Sequence, residues 1–169
     1  MNRVLVIGFG NPLRGDDGFG WEVAGQLERR LSQESPVHIL TPIQLAPELA
    51  ETLTRYDHVF FVDAALGDQP GRLILTEIAE GNLDSGFTHH LDPQALLASA
   101  RILFGAQPRG RILTVDGLNF ELGQGLSDPI TRALPEAVHL LEKEIEKILG
   151  DDPEAQAFAQ TNMEVESDA

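Results

Sequence analysis

Val4-Leu5-Val6-Ile7-Gly8-Phe9-Gly10-Asn11-Pro12-Leu13-Arg14-Gly15-Asp16-Asp17-Gly18 is the most informative stretch of this 169-residue chain. Its first four residues form a continuous apolar run of branched side chains, closed by a glycine. That pattern predicts a strand buried on both faces, as in parallel sheets covered by helices. The glycine-containing turn leads into a helical pattern, with Trp21, Val23, Ala24, Leu27 and Leu31 three or four residues apart. In an open α/β sheet, ligands bind at the carboxyl ends of the strands, so this turn is the first place to seek a site.

Further along, apolar runs and helical spacings continue to alternate. Val37 to Leu40 reads as a second strand, ended by Thr41-Pro42, and 46–54 as a helix with Leu45, Leu49 and Leu53 on one side. Val59 to Val62 is another wholly apolar run, ending at Asp63. Arg72 to Ile78 alternates as a strand, 92–104 is a helix with Asp92 as cap and Pro93 at its first position, and Arg111 to Val115 is a last strand. The final helix starts near Ser127-Asp128-Pro129 and runs to Leu149, with Gly150 as its stop. This alternation predicts an α/β layer fold with a largely parallel sheet. Only the short loop from Ala64 to Gly71 precedes the Arg72–Ile78 strand. A short loop favours an antiparallel neighbour, so the sheet is expected to be mixed. One domain over 1–149 is expected, within the usual domain size. Residues 150–169 hold six acidic residues and no basic ones, and read as an acidic, disordered tail.

Composition removes several functions. The chain has no cysteine, which excludes disulfide scaffolds, thiolate metal sites and cysteine nucleophiles. Twelve basic residues against 27 acidic ones, a net charge of −15, argue against binding a nucleic-acid backbone. No stretch approaches the ~20 apolar residues of a membrane span, and the apolar start is too short for a signal peptide. A cytoplasmic protein that does not associate with membranes is expected.

The glycine-rich turn is not a nucleotide loop. A dinucleotide fingerprint would place its third glycine at Leu13, and a phosphate loop would follow Gly15 with Lys and Ser or Thr. Asp16 and Asp17 stand there instead and would repel a phosphate. One aspartate is explained by helix capping, worth ~1 kcal/mol; two in succession exceed what capping requires. If the third strand neighbours the first, Asp17 and Asp63 can approach across the switch point of the sheet. Asp63 could serve only its loop, but a buried strand rarely ends on an unpaired carboxylate. Thr88-His89-His90-Leu91-Asp92-Pro93 adds imidazoles in a loop before a helix, whereas His38, His58 and His139 need only packing or surface roles. Two carboxylates and an imidazole form a ligand set suited to nickel, zinc or manganese. No Gly-x-Ser-x-Gly elbow and no His-Glu-x-x-His motif is present.

The opening stretch, extended through Phe19-Gly20, closely resembles the first motif of the hydrogenase maturation endopeptidases. The resemblance continues at Phe61-Val62-Asp63-Ala64, at Thr88-His89-His90-Leu91-Asp92-Pro93 and at Gly125-Leu126-Ser127, and spans roughly 3–149. It implies a three-layer α/β/α sandwich with a twisted five-stranded sheet. It also implies an enzyme that removes the C-terminal extension of a [NiFe] hydrogenase large-subunit precursor once nickel is in place. The nickel would belong to the substrate, with no organic cofactor, and the enzyme would be a monomer.

The family's metal-contacting trio falls on Asp17, where some relatives carry Glu, Asp63 and His89, with His90 as the alternative imidazole. Asp16 becomes a candidate supporting residue or base, and a polar side chain at Asn11 could orient Asp17. Two other readings fit the same residues. One is a metallohydrolase holding its own zinc or manganese. The other is a non-catalytic chaperone that binds a hydrogenase subunit through an acidic crevice.

Overall fold

The computed structural model describes residues 2–32, 34–79 and 91–150. Five strands, β1 (Val4–Gly8), β2 (Val37–Leu40), β3 (His58–Leu66), β4 (Leu73–Glu77) and β5 (Arg109–Gly117), form one sheet in the order β2-β1-β3-β5-β4. All pairings are parallel except that of β4 with β5. The four α-helices are α1 (Phe19–Glu28), α2 (Leu49–Leu53), α3 (Pro93–Phe104) and α4 (Asp128–Gly150).

The unbroken apolar run of β1 has a simple physical basis. Successive side chains of a strand point to opposite faces, and both faces of this strand are covered. Val4 and Val6 pack in a core with Phe19, Val23 and Leu27 of α1 and Ile130, Val138 and Leu141 of α4. Leu5 and Ile7 join a second core with Leu53 of α2 and Leu96 and Ala100 of α3. The result is the expected three-layer sandwich. Close helix-to-strand approach explains one glycine: a Cβ on Gly8 would lie 2.0 Å from the Gly20 carbonyl oxygen of α1.

Three expectations need correction. The β3 strand does not end at Asp63 but continues to Leu66, because β5 pairs with it along nine residues, from His58–Arg109 to Leu66–Gly117. The antiparallel strand β4 is not a neighbour of β3; β5 inserts between them and takes β4 on its outer edge. Finally, α2 begins only at Leu49, since Ala46 and Pro47 form the turns that lead into it. The predicted Asp92 cap is present, its Oδ1 accepting from the Ala95 N–H at 2.7 Å with Pro93 in the first turn. No helix among the described residues is long and apolar enough to cross a membrane. The acidic segment beyond Gly150 lies outside the described residues.

Candidate functional site

Parallel pairing puts the carboxyl ends of β1, β2, β3 and β5 on one edge of the sheet, where the turn after β1 meets the end of β3. The turn folds as a short 3-10 segment, Gly15–Gly18, leading directly into α1. Phe9 N–H donates to the Val62 carbonyl at 3.1 Å, which places Asp63 beside the start of the turn. In the alternation of β3, Asp63 shares a face with Val59 and Phe61, the face covered by α2 and α3.

The two adjacent aspartates have different surroundings. The Asp16 side chain is fully buried. Its carboxylate accepts from the N–H groups of Leu118 (2.8 Å), Asn119 (2.8 Å) and Ser127 (2.7 Å), and from the Ser127 hydroxyl (2.9 Å). Burial by itself would raise its pKa. The Ser127, Asn119 and Leu118 N–H groups, with the Ser127 hydroxyl, outweigh that effect and hold the carboxyl below its ordinary value. Asp16 thus fastens the turn after β1 to the loop after β5 and to the start of α4. Its oxygens are occupied by structural donors, so the geometry gives it a supporting role rather than that of a base.

Asp17 is only partly buried. Its Oδ2 accepts the Asn11 N–H at 2.7 Å. The backbone of Asn11 therefore orients Asp17, while the Asn11 side chain turns away and accepts from the Leu13 N–H at 3.0 Å. This corrects the expectation that the Asn11 side chain does so. Gly10 makes the turn possible. Its φ is +131°, and a Cβ there would lie 2.0 Å from the Asp17 carbonyl oxygen.

Asp63 is the perturbed group. Burial pushes its carboxyl up to about 7; the Ala64 N–H opposes the rise and the neighbouring Asp17 charge adds to it. The Asp17 charge is felt at Asp63, so the fold places the two carboxylates within electrostatic reach of one another, although they lie 46 positions apart in the chain. His89 and His90 lie outside the described residues. Among those described, no three His, Asp or Glu side chains gather closely enough to hold a metal. The chain re-enters at Leu91, which packs against the core of the α2/α3 face, the same face as Asp63.

A fourth carboxylate on this edge escaped sequence reasoning. Asp116, near the end of β5, is buried and pairs with Arg72 at 3.0 Å; its Oδ2 also accepts the Gln69 N–H at 3.4 Å. A signal was present, since the mainly apolar Ile112-Leu113-Thr114-Val115 runs into Asp116 much as Val59 to Val62 runs into Asp63. Arg72 neutralises Asp116, which ties the loop after β3 to β5. Two concavities of about 530 and 740 Å³ open elsewhere, around Pro108 and Arg109 at the start of β5. Neither is lined by Asp17 or Asp63, so chemistry rather than concavity marks the site.

Fold and site together define a class: a three-layer α/β protein with paired carboxylates at the switch point of a mostly parallel sheet. Solved structures of the same architecture include hydrogenase maturation endopeptidases. The hydrogenase maturating endopeptidase HybD from Escherichia coli shares 23% identity over 86% of this chain and 93% of its own, with a TM-score of 0.71. The [NiFe] hydrogenase maturation protease HycI from Thermococcus kodakarensis shares 23% over 84% and 91%, with a TM-score of 0.67. A hydrogenase 2 maturation peptidase from a Thaumarchaeota archaeon shares 26% over 85% and 97%, with a TM-score of 0.63. No protein-family model and no curated protein sequence matches the chain. The chain has the fold of these endopeptidases over most of its length and of theirs.

Proposed function

We propose that this chain is an endopeptidase that removes the C-terminal extension of a [NiFe] hydrogenase large-subunit precursor after nickel insertion. The observation that carries the reading is the Asp17–Asp63 pair, with Asp63 raised to about 7, on the fold shared with hydrogenase maturation endopeptidases. Nickel is a feature of the substrate in this reading. Two adjacent carboxylates repel one another, and a divalent cation held between them removes the repulsion and favours their charged forms. Nickel presented by the precursor would therefore be the signal that insertion is complete. The resemblance supplies His89 as third contact, with His90 beside it.

Cleavage needs a polarised carbonyl and a water relieved of a proton. Substrate nickel supplies the first. A carboxylate kept in its charged form beside the nickel is suited to the second, as the general base that takes the proton from water. Asp17, oriented by the Asn11 N–H, completes the constellation, and Asp16 holds its turn in place. The setting is the cytoplasm, with a monomeric enzyme acting on one protein partner.

The test is the mass of the large subunit after incubation of nickel-loaded and nickel-free precursor with the purified protein. Shortening of the loaded form alone is expected, and equal cleavage of both would overturn nickel recognition. Asp17→Ala and Asp63→Ala should each fold and leave the loaded precursor uncut.

A further inference from the structure

Asp63 has a polar neighbour on the next strand. In the parallel pairing of β3 with β5, Asp63 stands opposite Thr114. Residues opposite one another on adjacent strands project to the same face of a sheet. Two positions earlier, Phe61 stands opposite Ile112, and both pack in the core that α2 and α3 cover. Asp63 and Thr114 therefore share that face. On the far side of β5, Thr114 stands opposite Ile74 of β4, so a row Asp63–Thr114–Ile74 crosses the sheet near the edge that carries the site. Asp17 reaches Asp63 from the other side, on the turn after β1.

The chemistry of Thr114 sets it apart from its surroundings. It is the polar residue in Ile112-Leu113-Thr114-Val115. Leu113 and Val115 are buried in the core on the opposite face, whereas Thr114 is half-buried. Its hydroxyl makes no hydrogen bond to another group of the described residues, and it is open to water. Packing alone does not call for that hydroxyl, since valine matches threonine in shape and in preference for strands. The next polar side chain on this face of β5, Asp116, is occupied by Arg72 at 3.0 Å. Thr114 keeps both its donor and its acceptor capacity.

We propose that the Thr114 hydroxyl holds the attacking water against Asp63. The inference rests on the hydrolysis proposed above and adds a further group to that site. Neighbouring strands lie about 4.8 Å apart, a separation that one water bridges with two hydrogen bonds. One O–H of the water is directed at the Asp63 carboxylate, which takes that proton as the oxygen adds to the scissile carbonyl carbon. The other O–H donates to Thr114 Oγ1. Both protons then face the sheet, and a lone pair of the water faces the substrate. The proton on Asp63 is later given to the leaving amine as the C–N bond breaks. Thr114 gains and loses no proton; its contribution is orientation.

The experiment compares Thr114→Val, which removes the hydroxyl and keeps the shape, with Thr114→Ser, which keeps the hydroxyl. Thr76→Val, on the same face of β4 but opposite Ile112 rather than beside Asp63, is the control. Cleavage of nickel-loaded precursor is followed by mass at several precursor concentrations, and folding by thermal unfolding. Misplacing a reacting atom commonly costs about a hundredfold. Thr114→Val should therefore lower kcat about tenfold or more, with KM within about twofold and Tm at or above that of the wild type. Thr114→Ser should keep kcat within about threefold, and Thr76→Val should match the wild type. A Thr114→Val protein with wild-type kcat would overturn the role of the hydroxyl and leave the endopeptidase reading intact. A serine variant as slow as the valine variant would do the same. A loaded precursor left uncut by the wild type would overturn both.

Discussion

Replacing Asp63 by asparagine in the metal-free protein should stabilise the fold, and more so as pH rises. Asparagine has nearly the same shape and does not titrate. Aspartate at this position carries a carboxyl raised from 3.8 to about 7, first by burial and further by the Asp17 charge. The folded protein therefore binds this proton more tightly than the unfolded chain does. With that sign, stability falls as pH climbs from about 4 to about 7 and levels off above. The gap corresponds to ~4 kcal/mol for complete ionisation. Because the side chain keeps some contact with water, about 3 kcal/mol is the expected cost, with about 2 kcal/mol of it appearing between pH 5 and pH 8.

The assay is urea unfolding of wild type and Asp63→Asn, in chelator, at pH 5 and pH 8. The stability gained by the substitution should be larger at pH 8 by about 2 kcal/mol. A difference that stays constant between the two pH values would refute the reasoning, and so would a variant less stable than wild type at pH 8. Carboxyl NMR in an Asp17→Asn background separates the causes. The Asp63 pKa should fall there, yet remain well above 3.8, because burial is the larger effect.

Asp16→Ala should strand the N–H groups of Leu118, Asn119 and Ser127 together with the Ser127 hydroxyl. The expected loss is about 3–5 kcal/mol, with Tm lower by about 10 °C in thermal unfolding. Since its carboxyl is held below the ordinary value, the stabilisation from Asp16 is present above pH ~4 and fades as pH falls through its lowered pKa; acid unfolding of Asp16→Asn, which lacks this titration, should start from a lower stability and depend less on pH. Gly10→Ala, at a φ of +131° and with its Cβ directed at the Asp17 carbonyl, should cost about 2 kcal/mol or more and reduce precursor processing by displacing Asp17. Unfolding midpoints and processing rates near wild type would show that the turn has another way to close.

Local features of this fold were legible where their cause is local. The β1 run, the Asp92–Pro93 cap and the start of α4 depend on neighbours within a few residues, and each appears as the sequence predicts. The adjacency of β1 and β3 followed from the common doubly wound order, and with it the approach of Asp17 to Asp63. What could not be read was pairing between distant segments. The extension of β3 to Leu66 exists only because β5 lies beside it, and no residue near Leu66 announces that partner. The same non-local pairing moved β4 to the outer edge and gave Asp116 its arginine.

Asp16 and Asp17 show most clearly where such reading stops. They share a residue type, a turn and a helix terminus, so sequence treats them almost alike. The decisive partners of Asp16 lie more than a hundred positions away, at Leu118, Asn119 and Ser127, whereas the Asp17 carboxylate is held by Asn11, six positions before it. Distant donors consume the first carboxylate in joining three segments of backbone. A local donor orients the second and leaves it close enough to raise the pKa of Asp63. The Gly125-Leu126-Ser127 stretch, which resembles the endopeptidases without an evident task, gains one here: Ser127 supplies two of the four hydrogen bonds that immobilise Asp16. A residue can thus matter to a site by holding the neighbour of a reactive group, and the sign of that role is a saturated set of hydrogen bonds rather than a free carboxylate.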